Sequence, residues 1–507
     1  MNAEEALKRL KVLDADVVRL GHVLALLEWD QETYLPEAAA RERAAQSALL
    51  AGIHHDRVVE EEWGGLFAAV GLCGESDEAA SGAGEKYGER DGAFLREAHK
   101  RWRKAVRVPK KLVEDLARET SLSQSAWIAA RRADDFASFA PHLSTVISLE
   151  KEYASAVSPA VDTYDVLLDE YEPGATGEKI ARVFDDLERG LAPLLEEISS
   201  REPVAAPFLD CPYPVDRQDA FGRRIQEFMG FDPKRGRLDL SAHPFTTTLG
   251  PDDVRVTTRY EEANVLSGLF SNIHEAGHGL YEQGMGREIR GSLLADGAGL
   301  GIHESQSRFW ENIVGRSRAF WDFWYGDLRG LFPNCLDGVG AEEFYRAVNR
   351  VEPSLIRVEA DEVTYSYHII IRFRLERALL SGDLAVGDLP SAWKESYRAM
   401  LGIEPSDDAD GCLQDVHWSV GLFGYFPTYA LGNLYAAQFT KAMEAEVGPL
   451  SDLIRAGDAK TVLDWLRRKI HVHGRTRLPD DLCRRVAGGP LDSAPFLEYL
   501  DAKYRRL

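Results

Sequence analysis

Residues 261–281, EEANVLSGLFSNIHEAGHGLY, hold the pattern on which both fold and chemistry turn. Leu266, Phe270, His274 and His278 recur every fourth position, the spacing of one face of an α-helix, so a helix is expected over about 261–281. Inside it, residues 274–278 read HEAGH, an H-E-x-x-H motif. On a helix these two histidines stand one turn apart on one face, where both imidazoles reach a single metal ion. The plain alternative is two core histidines flanking an exposed glutamate. Gly277 and Gly279 weigh against it. Glycine in a helix interior costs up to about 1 kcal/mol relative to alanine, and two beside the histidines imply close approach of another backbone or a ligand.

A catalytic zinc usually takes three protein ligands and keeps a fourth position for water. Downstream, residues 303–307 read HESQS and enter a helix on which Glu304, Arg308 and Glu311 share a face. Glu304 is the choice for the third ligand. His303 is the rival, but adjacent helical positions diverge by about 100°, so only one of the two faces the ion. Zinc lowers the pKa of a bound water, and Glu275 is placed to take its proton and pass it to a leaving amine, which points to peptide-bond hydrolysis. Donors for an oxyanion are sought in residues 411–429, GCLQDVHWSVGLFGYFPTY, which offer His417, Tyr425 and Tyr429; the stretch could equally be an aromatic core plug.

Outward from this centre most of the chain repeats apolar residues at helical spacing, as in Leu143, Val146, Ile147 and Tyr153 or Leu453, Ile454, Val462, Leu463 and Leu466. The fold class is therefore mainly α. Residues 243–259, HPFTTTLGPDDVRVTTR, alternate around an LGPD turn and read as the one β-hairpin, with Asp253, Arg255 and Thr257 on a polar face that could line a cleft. Residues 71–92, rich in Gly, Ser and charge, read as a mobile connection, and residues 201–217, with four prolines, as irregular.

Composition sets limits. The 507 residues carry 60 Lys and Arg against 83 Asp and Glu, a net charge of −23 that repels nucleic-acid backbones and anionic membrane surfaces. The first thirty residues interleave charge with Leu and Val, unlike an export signal, and no stretch approaches the roughly eighteen apolar residues of a membrane span. Five scattered cysteines without a C-x-x-C pair fit a reducing cytoplasm.

Seven short motifs, in order WDQET at 29–33, HPF at 243–245, DVRVT at 253–257, HEAGH at 274–278, HESQ at 303–306, IRVEAD at 356–361 and GCLQDVHW at 411–418, resemble those of the thermostable carboxypeptidase (Taq-type) family. The resemblance spans most of the chain, read as a single domain over 1–507 with an N-terminal helical cap over 1–200 and a catalytic part over 201–507. It implies a largely helical, saddle-like fold with a deep groove and a small sheet. It also implies a homodimer, and a zinc- or cobalt-supported carboxypeptidase that removes single C-terminal residues broadly, with proline disfavoured. Carried over, His274, His278 and Glu304 are metal ligands, Glu275 is the general base, and Arg357, with help from Gln414, binds the terminal carboxylate of a peptide substrate.

Arg357 also has a physical rationale, since a guanidinium holds a free carboxylate by two parallel charge-assisted hydrogen bonds. Its plainer role is an ion pair with Glu359 or Asp361. Arg372 and Arg374 are rivals, although Arg372 and Glu376 are spaced as a helical pair. Asp296 and Asp361 are candidates to orient a ligand histidine. His471 and His473 stand where a basic helix ends, a place that favours cations, and His54 and His55 read as surface residues. The helix near 17–29 reads as a groove cover. Two other functions compete with the carboxypeptidase: a helical zinc oligoendopeptidase with the same centre and no carboxylate clamp, and an inactive peptide-binding scaffold.

Overall fold

Asn2 opens the first helix, α1 (Ala3–Thr33), with a reciprocal cap in which its side chain accepts from the Glu5 N–H and the Glu5 carboxylate accepts from the Asn2 N–H. The computed structural model describes residues 1–72 and 86–507. α1 is followed by α2 (Ala40–Val58) and, further on, by α3 (Val265–Gly284), α4 (Leu300–Arg308), α5 (Tyr365–Ser381), α6 (Pro427–Val447) and α7 (Ala494–Tyr504), among other helices. One contiguous apolar core runs from Ala6 in α1 to Tyr504 in α7. Most of the Gly- and charge-rich stretch 71–92, with Cys73, lies outside the described residues; from Glu89 the chain is helical.

The sheet has three strands, β1 (Gly236–Leu240), β2 (Thr246–Gly250) and β3 (Asp253–Thr258), in the order β1-β3-β2. β2 and β3 form the expected antiparallel hairpin, and β1 pairs with β3 in parallel. β1 carries no local signal in the sequence, because no tight turn joins it to its parallel partner β3. The polar face of β3 does not line a cleft. Trp29 of α1 lies over Arg255, 4.1 Å from guanidinium carbon to ring, with Arg237 of β1 at 5.3 Å, while Thr257 bonds Ser241 and the Phe245 N–H. Arginine over an indole face is an attractive arrangement, and it makes WDQET a clamp that seats α1 on the sheet. The opposite face, Val254 and Val256, is fully buried toward α3.

α3 starts behind Asn264, whose side chain accepts from the Ser267 N–H at 3.1 Å. Gly277 permits the close helix packing that its place in the motif implied: a Cβ there would stand 2.7 Å from Gln306 O and Ser307 Cα of α4. Gly279 instead faces side chains, Phe231 and Val256. α4 continues as a π-helical segment, Phe309–Gly315, a widened turn often found at functional sites.

Cys211 and Cys335, 124 residues apart, form a disulfide that the scattered cysteines of the sequence did not announce; Cys412 and Cys483 are buried and free. Among the described residues no helix is long and apolar enough to cross a membrane.

The anticipated Arg372–Glu376 pair on α5 does not form. Arg372 turns to Asp415 at 2.6 Å, and Glu376 accepts from Tyr164 Oη at 2.6 Å and Trp418 Nε1 at 3.2 Å. Burial pushes the Glu376 carboxyl up to about 8. A folded-state value above the unfolded one favours the protonated fold, so this stabilisation is complete below the ordinary carboxyl range and is lost as pH rises through about 8. The melting temperature should therefore fall between pH 6 and 9, and Glu376→Gln should flatten that dependence. An unchanged slope in the variant would show that Glu376 is not the titrating group.

Candidate metal centre

Three side chains from two antiparallel helices converge on one point. His274 and His278 of α3 and Glu304 of α4 each offer a ligand atom, all within 4.8 Å of one another. Glu304 Oε2 is 3.3 Å from His278 Nε2 and 3.6 Å from His274 Nε2. The Nδ1 atom of His274 is engaged by Glu311 Oε2 at 2.8 Å, which turns Nε2 inward. Two imidazoles and a carboxylate are the donor set of an open catalytic zinc site, and the fixed orientation of His274 through a carboxylate is the usual outer support of such a ligand. Glu311 reaches His274 from the π-helical segment. Asp296 and Asp361 do not serve in this role. Asp296 pairs with Arg475 at 2.8 Å, and Asp361 accepts from the backbone of Val363, Thr364 and Glu352.

His303 points away from this point. Its Nε2 bonds Glu282 Oε1 at 2.8 Å, and its ring stacks on His278 with centroids 4.5 Å apart. Burial and then the neighbouring His303 press the His278 pKa down to about 3, so its imidazole is neutral and free to donate a lone pair. Burial alone would raise the Glu304 pKa, but Arg308, 2.7 Å from Oε1, and then His274 hold it well below the usual carboxylate range. Glu304 is therefore ionised, and Oε2, which also accepts from Ser307 Oγ at 3.1 Å, keeps a lone pair toward the two imidazoles.

Glu275 occupies the next helical position and faces the same cavity, with Oε2 accepting from Thr246 Oγ1 of β2 at 2.6 Å. Burial raises its pKa, opposed by His274 and by the Thr246 hydroxyl. The cavity holds about 930 Å³ and is bordered also by Phe245, Phe270, Arg308, Arg357, Tyr365, Tyr425 and Tyr429. The face of α3 that carries Leu266, Phe270, His274 and His278 is thus the cavity wall.

Arg357, 6 % exposed, belongs to that wall. Its ion pair is with neither Glu359 nor Asp361. Nε and Nη2 donate to Asp415 Oδ1 at 3.0 and 2.8 Å, and Nη1 donates to Tyr365 Oη at 3.3 Å. Asp415 is in turn held by Arg372, so two guanidiniums share one carboxylate and keep it ionised despite burial. The adjacent Gln414 does not face the cavity: its Oε1 accepts from the Arg357 N–H at 3.0 Å and its amide donates to the carbonyls of Leu355 and Asp410. His417 also stands behind the wall, with Nε2 at 3.2 Å from Tyr429 Oη. Burial lowers its pKa to about 4. Arg374 is remote, paired with Asp185 and Glu188.

Of the remaining histidines His471 departs from expectation, whereas His55 is exposed and His54 half-buried, in keeping with their reading as surface residues. His471 is fully buried with Nε2 2.8 Å from Gln306 Oε1, and burial keeps it neutral. His54 and His55 of α2 line, with Val17, Val18 and His22 of α1, a second cavity of about 770 Å³; Leu300 borders both cavities.

Comparison with known proteins gives a consistent result. The model of the carboxypeptidase Taq (M32) metallopeptidase family matches residues 9–504. Thermostable carboxypeptidase 1 of Thermus thermophilus is 43 % identical over the full length of both chains, and carboxypeptidase 1 of Bacillus subtilis is 35 % identical over 96 % of each. The crystal structure of the M32 carboxypeptidase from Deinococcus radiodurans superposes with a TM-score of 0.94 at 40 % identity, covering 99 % of each chain. That of the Pyrococcus furiosus carboxypeptidase gives 0.93 at 34 %, also over 99 % of each.

Competition with a chromophoric chelator reads the centre directly. Glu311→Gln should weaken zinc binding by about 10- to 100-fold, as loss of a ligand's outer partner does, whereas His303→Ala should stay within about 3-fold of the unaltered protein. The reverse order would return His303 to the ligand set.

Proposed function

Because the chain belongs to the carboxypeptidase Taq (M32) metallopeptidase family and is a metallocarboxypeptidase, we propose that it removes single residues from the free C-terminus of peptides with broad preference, proline disfavoured. The observation that carries this reading is the presence of Arg357 on the wall of the cavity that holds His274, His278 and Glu304. In this proposal those three residues hold zinc, with cobalt as a working substitute. When bound, the ion supplies Lewis acidity that polarises the scissile carbonyl and acidifies water.

The protein's own groups do the rest. Arg357 presents the donors that Asp415 and Tyr365 leave unused, and a terminal carboxylate takes them as a bidentate pair, which fixes the register of the last peptide bond. A blocked C-terminus offers no such anchor. Glu275, steadied by Thr246, takes a proton from the attacking water and delivers it to the leaving amine. Tyr429 donates to the developing oxyanion; the His417 tautomer with its proton on Nε2 orients the Tyr429 oxygen, and the Tyr429 hydrogen turns from neighbouring Tyr425 to the cavity. His417 thus acts through Tyr429. Gln414 acts on Arg357 through its backbone.

A homodimer acting in the cytoplasm on peptides, without nucleic-acid or membrane partners, completes the proposal. Light scattering should give twice the 56.5 kDa chain mass. Thiol quantification in fresh lysate reads whether the Cys211–Cys335 bridge exists in that compartment.

Mass spectrometry of products from one peptide as free acid and as amide tests the reading. A ladder of single losses confined to the free acid and abolished by chelation is expected; internal cleavage of both would mark an endopeptidase. Arg357→Ala should lower kcat/KM on the free acid by roughly 30-fold or more, the equivalent of about 2 kcal/mol for a lost charged contact. Glu275→Gln should keep its metal and lose about 10²- to 10⁴-fold in kcat. Near-normal turnover in that variant would remove Glu275 from the role of base.

A further inference from the structure

Glu172 lies outside both cavities, is 2 % exposed, and touches the start of the helix that carries Glu304. α4 is nine residues long and follows Gly299, which has no side chain with which to cap it. Its first amides are satisfied from a distant segment: Leu300 N–H donates to Tyr171 O at 2.7 Å and Gly301 N–H to Glu172 Oε2 at 3.0 Å. Glu172 Oε1 accepts from Tyr435 Oη of α6 at 2.9 Å. The fit is close, since a Cβ at Gly299 or Gly301 would come within 2.8 or 2.9 Å of Glu172 Oε2 and displace the carboxylate. One turn before Tyr435, Gly432 does the same for Glu304, because a Cβ there would collide with Glu304 Cγ. The carboxylate of Glu172 thus ties α4 to α6 at the level where Glu304 is wedged between them.

We propose that Glu172 is a positioning residue for Glu304, capping α4 from another part of the chain and fixing how far along its axis Glu304 enters the metal centre. This rests on the reading of Glu304 as a metal ligand. A helix that slips by one residue moves about 1.5 Å along its axis, whereas a metal–ligand distance is held within about 0.2 Å, so the cap has leverage on the site. What the cap requires is reach rather than charge: an acceptor oxygen at the Gly301 N–H and a second polar atom at the Tyr435 hydroxyl, which can accept as well as donate. Glutamine retains the reach at Gly301, and aspartate retains the charge while falling one methylene short.

Zinc affinity, measured by chelator competition on variants shown by circular dichroism and melting temperature to be folded, tests this without any reading of turnover. Glu172→Ala should bind zinc about 10-fold more weakly, Glu172→Asp should lose several-fold, and Glu172→Gln should stay within about 3-fold of the unaltered protein. A purely structural role would lower the melting temperature and leave the affinity of the folded fraction unchanged, which overturns the proposal. So does an aspartate that binds normally beside a glutamine that does not. If the alanine variant fails to fold, the order of glutamine and aspartate decides alone. Glu304→Ala is measured in parallel: if it binds zinc normally, the ligand assignment itself fails, a result distinct from normal binding in the Glu172 variants alone.

Discussion

Glu304 brings a negative charge into the protein interior beside two imidazoles, one of which burial keeps neutral, and the architecture around it answers that charge. An isolated buried carboxylate would sooner take up a proton than ionise. Arg308 prevents this from one turn away on the same helix, with Nε 2.7 Å from Oε1, and its guanidinium is itself stacked 4.6 Å from the Tyr365 ring. Glu311 balances Arg308 and His274 together. The result is an ionised oxygen, Oε2, directed at two ring nitrogens, an arrangement that is costly to build without an ion and favourable with one.

The small sheet serves the same centre. β2 runs beside α3 and meets it through two threonines, Thr246 on Glu275 and Thr248 on Glu282, while Glu282 in turn holds His303 away from the point where His274, His278 and Glu304 converge. The sheet is held in place by Trp29 over Arg255 of β3 and Arg237 of β1 on its outer face, so α1, remote in sequence, belongs to the support of the site. At the far side of the cavity the Arg357–Asp415–Arg372 chain repeats the device on a larger scale, one carboxylate fixing two cations. A guanidinium held in this way is already oriented before a substrate arrives, which lowers the entropy lost on binding.

How much of this a sequence discloses depends on the range of the interaction. The helix of residues 265–284 and the pairing of His274 with His278 are local, set by one turn of helix, and were legible, as was the hairpin around residues 249–252. Glu311 was visible on the face of Glu304 and Arg308, but its partner His274 lies on another helix, and no local pattern says which carboxylate it meets. For the same reason Asp415 went unnoticed beside Gln414, and Glu376 found Tyr164 and Trp418 instead of Arg372. His417 and Gln414 stand behind the cavity wall, which the nearby Tyr425 and Tyr429 border instead, because positions in a compact loop diverge in direction. β1 and the Cys211–Cys335 link were invisible because no tight turn joins β1 to β3 and 124 residues separate the two cysteines.

The account stands on two imidazoles and one carboxylate sharing an ion. X-ray absorption at the zinc edge of protein reconstituted with one equivalent of metal tests that most directly. The predicted spectrum has two imidazole shells at about 2.0–2.1 Å with the remaining ligands oxygen. A third imidazole, or any sulfur ligand at about 2.3 Å, would contradict the assignment of Glu304 and the structure built around its charge.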